Sequence, residues 1–376
     1  MLARLWASAL IALPLGLGAV ACSGADAAAD GPTDGTNDQV IAPAPATTTN
    51  EDDDDPAPAP AAPDAAAPAP ELEVHALANL GDSISQAFDA DDSSPIDVGL
   101  LKRDPGLMFH DNPALSWIQG TDPRIGSVRQ HFAAKDPNLV MTPFSRSGAE
   151  LVRDFENQAK AIAKAGAKPD LVYVLLGGND VCNREKSTTA DATAPLYSVD
   201  RWREAAVKGL TALVDALPEG ATVRVLSMPR VDLLFDTLQS TRVPIRYESP
   251  IGPISATTTC KDLWSLTAQY ANGICKIVTT ETSAAKRKAI GDRVDAYNDA
   301  LAEEVRRFAA DATLNPKRIR LQSDWHGSLD EGNAPNSSVG TYKFAPAEVS
   351  KLDCFHPSIK GQQNLSDHAL DKARWE

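Results

Sequence analysis

Residues 170–180 read Asp-Leu-Val-Tyr-Val-Leu-Leu-Gly-Gly-Asn-Asp, an unbroken apolar run that ends in a polar turn. An apolar run without alternation is typical of a strand that is covered on both faces, as in a parallel sheet. The two glycines let the backbone turn sharply and approach a ligand closely. Asn179 then offers an amide N–H₂ that can stabilise an oxyanion. A turn built on Asx hydrogen bonds explains the same letters, and both interpretations stay open.

Other short apolar runs lie on both sides of this one along the chain, and helical patterns separate them. The predicted strands are 74–80, 138–143, 170–176, 222–228 and 317–322, and the predicted helices are 149–165, 200–216, 284–310 and 359–373. We expect the first helix to end at Gly166 and the second to have Asp200 as its N-cap. Strands that alternate with helices predict a three-layer α/β/α sandwich around a five-stranded parallel sheet. In such a sheet, ligands bind beyond the carboxyl ends of the strands.

A serine follows the first predicted strand directly, in the sequence Gly81-Asp82-Ser83-Ile84. A serine just past a strand, at the start of a turn, can be presented as a nucleophile with its own N–H free to donate. Taken alone, these letters are better explained by a Ser or Asp that caps the next helix.

An acid and a histidine three residues apart precede the last predicted helix, in Asp353-Cys354-Phe355-His356-Pro357-Ser358. At that spacing the Asp353 carboxylate can hold one ring nitrogen of His356 while the other nitrogen faces a serine. An acidic helix cap beside an exposed histidine is the structural alternative. A rival base is His326, because Asp324 precedes it by two residues after the fifth predicted strand.

A fourth motif, Ser145-Arg146-Ser147-Gly148-Ala149, lies between the second predicted strand and the helix that follows it. Gly148 can supply a backbone N–H at a helix N-terminus, which is a natural site for an anion. Arg146 can bind an anionic group of a substrate, although a salt bridge to a neighbouring acid is the simpler expectation. Four motifs at the same edge of one sheet are hard to explain as independent caps and turns.

Together the four motifs resemble those of the SGNH hydrolases, also called the GDSL esterase/lipase family, over about residues 75–376. That family is named for Ser, Gly, Asn and His in four blocks, which here match the residues Ser83, Gly148, Asn179 and His356. The resemblance implies a flavodoxin-like fold and the hydrolysis of carboxylic esters. It implies a catalytic triad of Ser83, His356 and Asp353. It also implies an oxyanion hole formed by Ser83, Gly148 and Asn179, and no metal or organic cofactor.

Looser features resemble the phospholipase B-like branch of that family. They are Ser116-Trp117 before Gly120, Val181-Cys182 after the Asn-Asp pair, and Phe-His-Pro-Ser with Trp375 near the end. The expected substrate is a lipid ester or another acyl ester, as for a lipase or phospholipase. A carbohydrate O-acetyl esterase and a non-catalytic binding lipoprotein on the same fold are the alternatives. The long stretch 84–144 is expected to form a loop or lid, and with 230–280 to wall the substrate pocket.

The N-terminal segment is typical of an exported bacterial protein. In residues 1–21, Arg4 is followed by an apolar stretch and then by small residues, which predicts a signal peptide. Cys22 stands where a lipoprotein is acylated and would tether the chain to a membrane, with plain secretion as the alternative. Residues 22–70 are rich in Ala, Pro and Asp and predict a disordered linker. Residues 71–376 are then one hydrolase domain, expected to be a monomer at the cell envelope or secreted.

Four cysteines remain after Cys22, and export allows them to form disulfides. Three pairings are possible. Cys260 and Cys275 are close in sequence within a loop-rich region, so we favour that pair, which leaves Cys182 to join Cys354. A zinc site is not expected, because the chain has no CxxC or HxxxH spacing.

The charge distribution excludes two classes of protein. The chain has 36 Lys and Arg against 51 Asp and Glu, for a net charge of −15. Nothing in the sequence builds the basic surface that a nucleic-acid-binding protein needs, so no nucleic-acid partner is expected. No apolar run of 18 residues follows the N-terminal segment, which excludes a protein that spans the membrane several times.

Overall fold

The computed structural model describes residues 72–270, 273–327 and 344–375. Within these ranges the strands are β1 (Ala76–Gly81), β2 (Ile96–Asp97), β3 (Val140–Pro143), β4 (Leu171–Leu175), β5 (Thr222–Val225), β6 (Arg242–Ser249), β7 (Gly252–Thr259) and β8 (Arg320–Ser323). The α-helices are α1 (Val98–Arg103), α2 (Val128–Ala133), α3 (Leu151–Lys164), α4 (Gly178–Cys182), α5 (Val199–Ala216), α6 (Leu234–Leu238), α7 (Cys260–Tyr270), α8 (Lys276–Thr279), α9 (Ala284–Ala310) and α10 (Ile359–Leu370).

The larger sheet has five strands in the order β3-β1-β4-β5-β8, and every neighbouring pair is parallel. This confirms the predicted five-stranded parallel sheet, and each strand overlaps the apolar run predicted for it. β4 lies at the centre, and all five of its residues are buried. The strand that the sequence marks most clearly is therefore the one that the fold buries most completely.

Helices cover both faces of this sheet, and alternate residues of β4 point to the two helix layers. Val172 and Val174 belong to the hydrophobic cluster that includes residues of α3, α5 and α9. Leu171, Tyr173 and Leu175 pack in a second cluster with residues of α2 and α10. Both sets of side chains are removed from water, which explains why β4 is apolar at every position. The predicted three-layer α/β/α sandwich is confirmed.

The predicted helices are found, with differences at their ends. α9 has the predicted bounds, and α3 ends just before Gly166, whose φ of +66° suits the residue that follows a helix. The predicted N-cap of α5 is wrong. Ser198 caps that helix and accepts a hydrogen bond from the Arg201 N–H at 3.2 Å, so Asp200 lies inside the first turn. Ser and Asp are both preferred N-cap residues, so residue type alone does not decide between these two positions.

A second sheet, in the order β2-β6-β7, was not predicted. β6 and β7 form an antiparallel hairpin, and β2 pairs with β6 in parallel. The turn between Ser249 and Gly252 contains Pro and Ile, so it lacks the Asn-Gly or Asp-Gly signal of a tight hairpin. β7 is also largely exposed, and its sequence does not alternate between apolar and polar residues.

Residues 84–144, for which we expected a loop or lid, are built into the domain instead. This stretch contains β2, α1 and α2, and its Leu101 and Trp117 side chains are fully buried. The backbone N–H of Trp117 donates to the Gln362 side chain of α10 at 2.9 Å. Only part of the stretch borders the cavity described below.

Both predicted disulfide pairings are wrong, although all four cysteines are bonded. Cys182 bonds Cys275, and Cys260 bonds Cys354. Cys260 is the first residue of α7, and Cys275 lies beyond the other end of that helix. A helix of eleven residues is about 16 Å long, far beyond the roughly 4–7 Å between the Cα atoms of bonded cysteines. Closeness in sequence was therefore misleading, because the region between the two cysteines is a helix rather than a loop.

The predicted signal peptide, Cys22 and the linker up to residue 70 lie outside the described residues and stay predictions. In the part of the chain that the structure does describe, no helix is both long and apolar enough to cross a membrane. Within the same ranges, no group of three His, Cys, Asp or Glu side chains is placed to hold a metal ion.

Candidate active site

Ser83 lies two residues beyond β1, at the carboxyl edge of the five-stranded sheet. The Gln158 amide of α3 fixes the end of the strand, because it accepts from the Gly81 N–H at 2.8 Å and donates to the Gly81 carbonyl at 2.9 Å. The Asp82 carboxylate accepts from the Ile84 N–H at 2.9 Å. The capping role that the sequence allowed to either residue therefore falls to Asp82, which leaves the Ser83 hydroxyl for another partner.

That partner is His356. The distance from Ser83 Oγ to His356 Nε2 is 2.8 Å, and the distance from His356 Nδ1 to Asp353 Oδ2 is 2.5 Å. Asp353 is fully buried, while 7% of Ser83 and 8% of His356 are exposed. An ionised Asp353 holds the proton of the ring on Nδ1, so Nε2 is left to accept from the serine hydroxyl. The structure thus brings together the three residues that the resemblance pointed to.

The loop that carries Asp353 and His356 is fixed by contacts of its own. Asp353 Oδ1 accepts from the backbone N–H groups of Phe355 and His356 at 2.8 and 3.0 Å. The Trp264 indole N–H of α7 donates to the Asp353 carbonyl at 3.2 Å. Cys354 has a φ of +56° and is tied by its disulfide to the start of α7. The sequence contained no sign of these contacts from α7, because α7 itself was not predicted.

Two backbone N–H groups, those of Ser83 and Gly148, belong to residues that line one cavity. Gly148 has a φ of +80°, a region that favours glycine, and a Cβ there would meet no atom within 4 Å. Among the described residues, neither the Gly148 N–H nor the Ser83 N–H has a hydrogen-bond acceptor. Both residues line one cavity with Asn179 and His356. Residues that line a cavity and have unpaired N–H donors can bind an oxyanion.

Asn179 follows the sharp turn at the end of β4. Gly177 has a φ of +129°, and a Cβ at this position would lie 2.7 Å from Trp202, so the turn requires glycine. One N–H of the Asn179 side chain donates to the Ala149 carbonyl at 3.1 Å. That bond orients the amide, whose nitrogen has no second acceptor among the described residues.

Asp180 performs a structural task that the sequence did not reveal. Its buried carboxylate accepts from the N–H groups of Leu151 and Val152, at 2.6 and 3.0 Å, and so caps α3. Burial raises the pKa of Asp180 to about 7, against the lowering effect of these two donors. The contact spans 29 residues, so no local capping pattern could have predicted it. It holds the loop of Gly148 against the loop of Asn179.

The cavity has a volume of about 460 Å³, within the range of small-molecule sites. Its apolar walls come from Phe88, Phe109, Phe355 and Ile274, and from the Cys182–Cys275 disulfide. Among the described residues that line it, none is Lys, Arg, Asp or Glu. The predicted wall segments 84–144 and 230–280 thus both contribute.

Two residues with open roles lie outside this cavity. The Arg146 side chain is 70% exposed and forms a salt bridge with Asp154 at 2.6 Å. This is the pairing with a neighbouring acid that the sequence analysis expected. His326 is exposed and borders a different cavity, so it is no rival to His356. The acid two residues before it, Asp324, contacts His368 at 2.9 Å instead.

A family model of GDSL-like lipases and acylhydrolases matches residues 77–369. The chain belongs to this family. It is therefore a carboxylic ester hydrolase of the esterase/lipase type. The phospholipase B-like branch stays a prediction, because the match does not distinguish branches of the family.

Solved structures of two hydrolases are similar to this chain at low identity. One is an acetyl xylan esterase variant from Geobacillus stearothermophilus, with 14% identity, a TM-score of 0.38, and coverage of 80% of this chain and 95% of that chain. The other is an alpha/beta hydrolase from the metagenome of Lake Arreo, Spain, with 16% identity, a TM-score of 0.37, and coverage of 79% and 93%. No curated protein is significantly similar to the chain in sequence.

Proposed function

We propose that this ester hydrolase uses Ser83 as its nucleophile, His356 as its general base and acid, and Asp353 to orient and stabilise the imidazole. One observation carries the proposal. An unbroken line of hydrogen-bond distances runs from Ser83 Oγ through both ring nitrogens of His356 to Asp353 Oδ2, and Ser83 and His356 line a cavity. This is the relation between nucleophile, base and orienting acid that acyl transfer requires.

The reaction then follows from proton transfers at named atoms. Ser83 Oγ attacks the carbonyl carbon of the ester while its proton passes to His356 Nε2. The imidazolium, stabilised by the ionised Asp353, returns that proton to the leaving alkoxide, which departs as the alcohol and leaves an acyl-serine. A water molecule then gives a proton to Nε2 and attacks the acyl carbon. The carboxylic acid leaves as Ser83 regains its proton.

The negative charge that develops on the carbonyl oxygen needs donors that are in place beforehand. We assign this role to the Ser83 and Gly148 N–H groups and to the Asn179 amide. Two contacts that hold the loop of Gly148 against the loop of Asn179 support the assignment. They are the Asp180 cap on α3 and the bond from Asn179 to the Ala149 carbonyl. Donors that are fixed before the reaction cost no reorganisation during it.

The lining of the cavity favours a neutral ester. A charged group placed against Phe88, Phe109 and Phe355, with no described counter-ion in the lining, would lose its hydration without compensation. We therefore propose neutral acyl esters as the substrates, rather than esters with a charged group beside the scissile bond. Arg146, paired with Asp154 outside the cavity, is not placed to offset such a charge.

A panel of substrates tests this proposal. We expect the wild type to hydrolyse neutral nitrophenyl esters, assayed from acetyl to palmitoyl, with kcat/KM about tenfold or more above that for a phospholipid. An acetylated sugar is the third arm. Preference for the phospholipid would favour the phospholipase B-like branch, and preference for the acetylated sugar would favour a carbohydrate O-acetyl esterase. A folded wild type that turns over none of them would indicate a binding protein.

Loss of either disulfide is expected to destabilise the protein by a similar amount. Cys182–Cys275 and Cys260–Cys354 span 93 and 94 residues, so the entropy that each removes from the unfolded chain is nearly equal. We expect the free energy of unfolding to fall by about 2–4 kcal/mol for each double Cys→Ala variant. Urea unfolding followed by circular dichroism measures both.

Their effects on catalysis should differ, which makes each variant the control for the other. Cys354 lies between Asp353 and His356, so opening the Cys260–Cys354 disulfide should mainly lower kcat. The Cys182–Cys275 disulfide lines the cavity, so opening it should mainly raise KM. Equal kcat losses in both variants would show that the Cys260–Cys354 disulfide has no special effect on catalysis.

We also propose that the chain is exported, with residues 1–21 as a signal peptide, Cys22 as the acylated residue and 22–70 as a disordered linker. The two disulfides support export, because such bonds persist in oxidising compartments. Intact-mass measurement of the protein from its bacterial host should show a diacylglyceryl cysteine at the N-terminus. An unmodified N-terminus would favour plain secretion.

A further inference from the structure

One buried acid beside the site has no task in the mechanism above. Asp89 is fully buried and has a φ of +54°. Its N–H donates to the His110 carbonyl at 3.0 Å, and its own carbonyl accepts from the Ser350 hydroxyl at 2.6 Å. The residue before it, Phe88, packs on the His356 ring with centroids 4.8 Å apart. Asp89 thus joins the turn of Ser83 to the loop of the catalytic histidine.

The Asp89 carboxyl group faces that of Asp353. Its Oδ1 accepts from the His110 N–H at 3.0 Å, whereas its Oδ2 is buried and has no donor among the described residues. The charge of the neighbouring Asp353 carboxyl group acts on Asp89, and a proton can be shared between the two groups. Asp353 already accepts two backbone N–H groups and the His356 ring N–H. Two ionised carboxylates in contact, without a proton between them, would be strongly repulsive.

A proton shared by this pair belongs on Asp89. Asp353 has three donors and Asp89 has one, so the ionised form is better stabilised at Asp353. Burial, with the charges of Asp353 and nearby Asp111, raises the pKa of Asp89 to about 9. Asp89 is therefore neutral at pH 7, and its O–H can donate to Asp353 through the otherwise unpaired Oδ2.

We propose that Asp89 is a positioning residue whose protonated carboxyl group donates a hydrogen bond to Asp353 and holds that carboxylate ionised against His356. This rests on the proposed function, in which Asp353 orients the catalytic histidine. The bond keeps the Asp353 carboxylate in the plane that meets Nδ1 of His356.

The hydrogen bond from Asp89 to Asp353 depends on pH. Above about pH 9, Asp89 loses its proton, the bond to Asp353 is lost, and two like charges face each other. The charge of Asp111 also acts on Asp89, and the imidazole of His356 contacts Asp353. We therefore expect kcat of the wild type to fall as the pH rises through 9.

Two substitutions at Asp89 separate the hydrogen bond from the backbone. Asp89→Asn keeps an N–H₂ donor for Asp353 and an oxygen for the His110 N–H, and Asn tolerates a positive φ. Asp89→Gly suits the same φ but removes the donor. At pH 7.5 we expect Asp89→Gly to lower kcat roughly tenfold or more, with KM within about threefold. Asp89→Asn should stay within about threefold of the wild type and lose the alkaline decline.

The controls keep this inference distinct from the proposed function. Asp91→Asn, at a partly exposed acid two residues away, should keep the wild-type pH profile. In a ¹³C NMR titration, the carboxyl resonance of Asp89 is assigned as the one that is missing from Asp89→Gly. It should show that the Asp89 carboxyl group is protonated at pH 7, whether or not the enzyme turns over. A resonance that titrates below pH 6, or an Asp89→Gly variant with wild-type kcat, would overturn the inference while Ser83 remained catalytic. A protonated Asp89 in a wild type that hydrolyses no ester would overturn the proposed function and the positioning role with it.

Discussion

Replacing Ser83 by alanine is expected to lower kcat by a factor on the order of 10⁶. The Ser83 hydroxyl is 2.8 Å from His356 Nε2 and is the nucleophile in the proposed reaction, so no covalent intermediate can form without it. The fold should tolerate the change, because alanine is smaller and Asp82 provides the cap of this turn. Hydrolysis of a nitrophenyl ester, followed to long times, measures the residual rate.

A second variant makes this prediction more specific. His356→Ala should cost about as much as Ser83→Ala, and the double variant should cost little more than either, because triad members act as a unit. Reaction with a fluorophosphonate should add one adduct to the wild type, at Ser83, and none to Ser83→Ala. A Ser83→Ala variant that keeps more than about one hundredth of the wild-type kcat would show that another nucleophile carries the reaction.

The parts of the fold that the sequence predicted are those that depend on local pattern. β4 and α9 are marked by a continuous apolar run and by long helical periodicity, and both were found where expected. The four motifs were also placed correctly at one sheet edge, because the carboxyl ends of parallel strands share that edge. Contact between Ser83 and His356, which are 273 residues apart, followed from this topology and from the family resemblance.

The sequence could not predict the contacts between residues that lie far apart along the chain. The Asp180 carboxylate caps a helix that begins 29 residues earlier, and a local capping pattern covers only about three residues. The cysteine pairs were misjudged because α7, which separates Cys260 from Cys275, was taken for a loop. The contact of Asp89 with Asp353 joins residues from opposite ends of the domain, and nothing around either of them marks it.

Replacing Asn179 by alanine is expected to lower kcat by about 10²–10³ with little change in KM, because the lost N–H stabilises charge that exists only in the transition state. Asn183→Ala is the matched control. It removes the same type of amide from the same cavity, but that amide is paired with the Glu150 carboxylate at 3.1 Å. The control should lower kcat less than tenfold, and steady-state kinetics on a nitrophenyl ester compares the two. Equal losses would show that the amide at 179 contributes packing rather than oxyanion stabilisation. A loss of kcat confined to the Asn179→Ala variant would instead show that the Asn179 amide stabilises the transition state. The Ala149 carbonyl already holds this amide in place before substrate binds.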